Sequence, residues 1–161
     1  MGIKRKLVVS GGGGALAMSI VLLSNFEGER VNAYFDPVGI PTICFGETEN
    51  VTIRDSATHE ECVAQLKKRA NEMLTEVYQD VGFVPDPTAA ALVSFCYNVG
   101  PSNCRRSEAF RLIREGDEKR GCDALMNWQR AGSNRHLLKG RRQEERDLCI
   151  TGFKQAGKIN E

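Results

Sequence analysis

The sequence predicts an α+β fold that is mostly helical, with a small β-hairpin lobe placed before a helical lobe. Proline and glycine punctuate residues 27–55, and β-branched residues lie between them, which indicates short strands and turns. From Thr58 onward, apolar residues recur at helical spacing. Residues 89–99 are apolar at nearly every position, which predicts a buried central helix.

The first long helix begins at a capping box. The Thr58 hydroxyl and the Glu61 carboxylate can each satisfy a free backbone N–H at a helix start. Apolar residues continue at helical spacing to about Gln79, and residues 81–85 are expected to form a loop.

The central helix is expected to start at Asp86, as cap, followed by Pro87 in the first helical position. Gly100 and Pro101 should end it. Glycines then separate three shorter helices, expected near residues 107–115, 117–127 and 140–150.

Length and charge limit the possible functions. The chain has 161 residues, which suits one globular domain with a short appendage. Its 22 basic and 21 acidic residues leave a net charge of +1, so no general attraction for nucleic acid is expected.

Six cysteines suggest disulfide bonds and an oxidising compartment. Zinc is the alternative, but the chain has no CxxC pair and only two histidines, His59 and His136, which are expected on the surface. Many pairings are possible. We predict one bond across the turn that ends the central helix, one from the β-lobe to the next helix, and one between two late helices. These are Cys96–Cys104, Cys44–Cys62 and Cys122–Cys149.

The N-terminus has the composition of a weak membrane anchor. Residues 1–6 include three basic side chains, and residues 7–26 include no charged ones. At about 1.5 Å per residue this segment spans roughly 30 Å, one bilayer core, with the rest of the chain facing the periplasm. The glycine run 11–14 makes insertion marginal.

A cleaved signal peptide with a site near residues 15–17 is the alternative, but its apolar core would be short and rich in glycine. We therefore favour an uncleaved chain. It divides into an anchor, residues 1–26, part of which becomes the first helix, and a catalytic domain, residues 27–161.

Two carboxyl groups, nine residues apart, suggest acid–base chemistry. Glu27 follows the apolar segment, so it can end a helix against a core, where desolvation would raise its pKa and keep it protonated. Asp36 lies in a proline- and glycine-rich turn, where it should stay ionised. Glycoside hydrolysis needs two carboxyls in contrasting environments. Thr42 could hydrogen-bond a nucleophilic water.

The E-x8-D-x5-T arrangement, with G-x-x-T-I-x-x-G around the threonine, resembles the phage lysozymes of glycoside hydrolase family 24. Residues 91–100, 121–128 and 140–146 resemble later segments of the same family. The resemblance implies Glu27 as acid, Asp36 as base or electrostatic stabiliser, and Thr42 as its partner. One departure is Glu47, at a position where members often have histidine.

The same resemblance implies a two-lobed lysozyme fold with a cleft between the lobes. The reaction would be inverting hydrolysis of the β-1,4 bond between N-acetylmuramic acid and N-acetylglucosamine in peptidoglycan, without a cofactor or metal. It also implies substrate-binding roles for Asn98, Arg141 and Arg142, with one arginine near Glu27. Asn98 could instead cap a helix end. Trp128 is expected in the core rather than as a sugar platform, and Glu29 on the surface.

The N-terminus resembles the signal-anchor-release endolysins of lambdoid phages. This implies an enzyme first tethered inactive in the host inner membrane and later released to the periplasm, causing host lysis. We also expect a monomer, and we expect depolarisation of the membrane by a holin to release so marginal an anchor. Two alternatives are a lytic transglycosylase, for which Asp36 and Thr42 would be idle, and a non-catalytic peptidoglycan-binding module.

Overall fold

A computed structural model describes residues 14–134 and 136–160. The described part is mostly helical and includes one two-stranded antiparallel sheet, which confirms the predicted fold class. The elements in chain order are α1 (Ala15–Glu27), β1 (Arg30–Phe35), β2 (Pro41–Cys44), α2 (His59–Val81), α3 (Asp86–Val99), α4 (Pro101–Arg106), α5 (Glu108–Arg114), α6 (Glu118–Ala124) and α7 (Lys139–Gln155), with a 3-10 turn at Leu125–Asn127 between the last two.

The two strands form a hairpin in which Tyr34 lies opposite Thr42 and Phe35 lies opposite Pro41. The connecting turn closes through a hydrogen bond from the Asp36 N–H to the Ile40 carbonyl. The hairpin thus places the predicted Asp36 at the end of one strand and Thr42 near the start of the next.

Local signals set most helix starts. The Thr58–Glu61 capping box is present, and α2 ends at Val81, two residues beyond the predicted end. The predicted cap of α3 is wrong by one residue: Pro85, with an extended ψ of 148°, is the N-cap, and Asp86 is already helical without a side-chain cap bond.

Helix α3 lies at the centre of the core, and residues 89–93 have no exposed surface. It packs against α1 and against α7. Gly152 permits the close crossing of α3 and α7, because a Cβ atom there would collide with Thr88.

Two features of the late helices differ from the sequence prediction. Helix α4 was not predicted, because Pro101 both stops α3 and occupies the first position of a new helix. Helix α7 continues five residues past the predicted end at residue 150.

The structure pairs the cysteines as predicted: Cys44–Cys62 joins β2 to α2, Cys96–Cys104 joins α3 to α4, and Cys122–Cys149 joins α6 to α7. No cysteine is free, so the zinc alternative has no thiolate ligands.

Helix α1 includes the second half of the uncharged segment and is docked in the domain. Its buried residues are Ala15, Ser19, Leu22 and Leu23. The predicted anchor's first half, residues 7–13, and the basic start, residues 1–6, lie outside the described residues. Across the described ranges, every helix is too short or too polar to cross a membrane.

Candidate active site

Glu27 is the last residue of α1, and Gly28, with a φ of 68°, turns the chain away from the helix. The Glu27 side chain is 20% exposed. Arg141 of α7 donates from Nη1 to Glu27 Oε1 at 2.7 Å. The arginine expected near Glu27 is therefore Arg141, a cation from the far end of the chain.

Arg141 is fixed on three sides and is only 8% exposed. Its Nε donates to Glu145 Oε1 at 3.0 Å, and its Nη2 donates to the Ser94 carbonyl at 2.9 Å. The guanidinium also lies 4.8 Å from the centre of the Phe26 ring. Because α3 and α7 supply the first two contacts, the arginine provides a pre-organised partner for the end of α1.

Arg142 does not face the cleft. Its side chain has no exposed surface, and its Nε lies 2.9 Å from Oε2 of the equally buried Glu145. Burial lowers the pKa of the Arg142 guanidinium and raises the pKa of the Glu145 carboxyl, although Arg142 and Arg141 oppose the second shift. The predicted substrate-binding role of Arg142 is wrong for this conformation, because a buried group cannot contact substrate.

Asn98 is exposed near the end of α3. It does not cap the helix: its Oδ1 accepts a hydrogen bond from Arg142 Nη2 at 2.8 Å. The exposed amide stays a candidate for contacting an N-acetyl group.

Asp36 and Thr42 are linked through one residue of the hairpin turn. Asp36 Oδ1 accepts from the Val38 N–H at 2.9 Å and from the Ile40 N–H at 2.8 Å. The buried Thr42 hydroxyl donates to the Ile40 carbonyl at 3.0 Å. Two backbone donors therefore fix one oxygen of a half-buried carboxylate.

A tight turn at the end of β2, residues 43–47, lies beside the Glu27 carboxyl. Ile43 and Glu47 exchange backbone hydrogen bonds across it, each 2.9 Å long. A Cβ atom on Gly46, whose φ is 93°, would lie 4.0 Å from Glu27 Oε2. The turn therefore approaches Glu27 on the side away from Arg141.

Glu47 is the residue that departs from the family pattern. Its Oε1 accepts from the backbone N–H groups of Thr48 and Glu49, and its Oε2 lies 3.9 Å from Arg69. The two residues after the turn and one arginine of α2 thus supply the partners of this carboxylate.

Tyr97 of α3 is a functional candidate that the sequence analysis missed. Its hydroxyl donates to the Phe45 carbonyl in the 43–47 turn at 2.9 Å. Burial, with the negative charges of Glu27 and Glu47, raises the pKa of Tyr97 to about 12. The available signal was a phenol in a helix that is apolar at most positions.

The remaining expectations concern residues away from Glu27. Trp128 packs edge-on against Phe95, with ring centres 5.7 Å apart, and is partly buried in the core. Glu29 is exposed, as expected, and contacts His59 at 2.8 Å; this contact raises the pKa of His59. His136 is exposed as predicted.

Comparison with known proteins gives the class. The phage lysozyme family model matches residues 24–145. A signal-anchor-release (SAR) endolysin of Bacteriophage PS119 is 35% identical over 159 residues, which cover 93% of this chain and 95% of that one. The chain belongs to the phage lysozyme family, a family of muramidases that hydrolyse peptidoglycan. The transglycosylase alternative is not favoured.

Solved structures distinguish two conformations. The active form of the P1 phage endolysin Lyz gives a TM-score of 0.76 at 25% identity, covering 89% of this chain and 86% of that chain. The secreted inactive form of the same endolysin gives 0.57 at 22% identity, covering 89% and 97%. The conformation described above is more similar to the active form.

Proposed function

We propose that the protein is a SAR endolysin that hydrolyses the β-1,4 bond between N-acetylmuramic acid and N-acetylglucosamine, with Glu27 as the general acid. The observation that supports this most directly is the position of Glu27: it ends a docked helix, between the Arg141 guanidinium and the 43–47 turn. A matching family model and SAR-endolysin relatives add the substrate class.

The proton is best placed on Oε2 of Glu27. Oε1 already accepts a charge-assisted hydrogen bond from Arg141, so it is the poorer site for a proton. Oε2 faces the Gly46 side of the carboxyl, and from there the proton would pass to the glycosidic oxygen.

Asp36 and Thr42 would prepare the water. The turn N–H groups hold Asp36 Oδ1, so Oδ2 is the oxygen left to accept a proton from water. Thr42 uses its hydroxyl proton on the Ile40 carbonyl, which leaves its oxygen as an acceptor for the same water. Attack opposite the leaving group inverts the anomeric centre.

The Glu27→Gln variant tests the acid, and Glu29→Gln is the matched control. Both remove one carboxylate from the same short segment, but Glu29 faces His59 instead of Arg141. We expect the first variant, and Asp36→Asn, to stay folded and lose hydrolysis of purified peptidoglycan, while the control retains it. Wild-type turnover by folded Glu27→Gln would refute the assignment.

We also infer that release from the membrane activates the enzyme. While residues 7–26 span the inner membrane, residues 15–26 cannot also dock as α1, and Glu27 cannot reach Arg141. Release to the periplasm would let α1 bury Ser19, Leu22 and Leu23 in the domain. Depolarisation by a holin would suffice to release so weak an anchor, and the freed enzyme would act as a monomer on the adjacent peptidoglycan.

Replacing the glycines at 11–14 with leucines tests release. Each leucine favours the bilayer by about 0.3 to 0.6 kcal/mol and removes up to about 1 kcal/mol of glycine helix penalty. This variant should stay in the membrane fraction and fail to lyse cells after depolarisation. Serines at the same positions add no apolar area and should not retain the protein. Lysis by the leucine variant on the wild-type schedule, or a mature chain cut near residue 17, would contradict the model.

A further inference from the structure

The Tyr97 hydroxyl joins the two lobes beside the candidate acid. Its bond to the Phe45 carbonyl, 2.9 Å long, is the only hydrogen bond between the hairpin segment 30–47 and α3 within residues 14–134 and 136–160. The donor is two residues before the end of α3, and the acceptor lies inside the turn that approaches Glu27.

Ile43, Cys44 and Phe45 of the 43–47 turn are buried in the core. Two further contacts attach its ends, and neither involves Gly46. The Cys44–Cys62 disulfide ties its first part to α2. The contact between Glu47 and Arg69 is long, at 3.9 Å, and Arg69 is half exposed. Surface pairs of this kind contribute little. Within the described residues, the bond from Tyr97 is the hydrogen bond that ties the middle of the turn to α3.

The phenol is a permanent donor in this position. With a pKa raised to about 12, it stays protonated throughout the pH range in which a lysozyme would act. Its environment is also shared with the acid, because the charges of Glu27 and Arg141 both act on it.

We propose that Tyr97 is a positioning residue for the reaction: its hydroxyl holds the 43–47 turn against α3 and so fixes the geometry at Glu27 Oε2. This inference rests on the proposed role of Glu27. Without the bond, the turn stays attached through Cys44, but Gly46 can move away and water can enter beside the carboxyl. The acid would then donate from a looser, wetter site.

The test compares Tyr97→Phe with Tyr78→Phe in the full chain. Both remove a single tyrosine hydroxyl, but Tyr78 lies on α2, stacks on Phe83 at 4.8 Å and forms no hydrogen bond through its hydroxyl within the described ranges. We expect Tyr97→Phe to lower kcat on peptidoglycan about tenfold, with KM within about twofold. The pH profile of kcat should shift, while Tm falls by no more than about 6 °C. Tyr78→Phe should leave kcat, KM and the profile unchanged.

Three results would overturn the proposal. One is wild-type kcat in Tyr97→Phe. Another is a loss of activity in Tyr97→Phe with an unshifted pH profile of kcat. The third is a Tm of Tyr97→Phe below the assay temperature, which would show that the bond stabilises the whole fold. Glu27→Gln, assayed in parallel, separates the role of Glu27 as acid from the positioning role of Tyr97. If Glu27→Gln is active, the assignment of the acid fails. If Glu27→Gln is inactive and Tyr97→Phe is fully active, only the positioning role is refuted.

Discussion

Removing the cation beside Glu27 should be far more damaging than removing a neighbouring surface cation. Arg141→Met preserves much of the side-chain volume but deletes the donors to Glu27, Glu145 and Ser94, which lie 2.7, 3.0 and 2.9 Å away. The arginine is 8% exposed, and Glu145 has no exposed surface. Solvent cannot replace these contacts without opening the packing between α3 and α7.

The expected magnitude follows from that burial. Removing one partner of a buried ion pair typically costs about 3 to 5 kcal/mol. Glu145 keeps Arg142 as a partner, so we expect the lower half of that range, about 3 to 4 kcal/mol. For a chain of this size, that corresponds to a fall in Tm of roughly 6 to 16 °C.

Arg146→Met is the matched control on the same helix. Arg146 pairs with Asp123 at 2.6 Å. The Arg146 side chain is 29% exposed and the Asp123 side chain is 35% exposed. Exposed pairs contribute about 0 to 1 kcal/mol, so Tm should fall by at most about 4 °C. Thermal unfolding of both variants, followed by circular dichroism, measures the contrast, and peptidoglycan turnover measures the function. Equal stability of the two variants would refute the reasoning, as would full activity of folded Arg141→Met.

Two further predictions concern the β-lobe. Contact with Glu29 raises the pKa of His59, so this pair stabilises the fold below about pH 6.5, and the stabilisation is lost as pH rises through the raised pKa. Glu29→Gln should lower the His59 pKa measured by NMR. An unchanged pKa would contradict the contact. Serine replacement of the disulfide between β2 and α2, which closes 18 residues, should cost about 3 kcal/mol and also reduce activity. Serine replacement of the disulfide between α6 and α7, which closes 27 residues, should lower the free energy of unfolding in urea by as much, while activity persists. Equal losses of activity in the two variants would argue against a special role for the disulfide between β2 and α2.

Local signals in the sequence were sufficient for much of the fold. The Thr58–Glu61 box needs only four neighbouring residues, and the structure contains it. The disulfide across Gly100 was predictable because its cysteines flank one turn, eight residues apart. Ambiguity began where one residue serves two elements, as Pro101 does at the end of α3 and the start of α4.

The polar surroundings of the site were harder to predict, because they come from distant parts of the chain. Glu27 and Arg141 are 114 residues apart in sequence. Adjacent arginines on a helix point in directions about 100° apart, so one reaches Glu27 while Arg142 is buried against Glu145 and Asn98. Sequence reasoning could place an arginine near the acid, but choosing between the two required the packing of α3 against α7.

Helix α1 shows how one segment can suit both a bilayer and a protein core. Its serine hydroxyls bond within the helix, Ser19 to the Ala15 carbonyl and Ser24 to the Ile20 carbonyl, each at 2.7 Å. Since these polar groups need no outside partner, neither lipid nor core leaves them unsatisfied. The proposed acid, Glu27, lies one residue beyond the uncharged stretch, and its partner cation, Arg141, is held on α7. Docking of an otherwise neutral helix and completion of the acid site are therefore the same event, which is what activation by release requires.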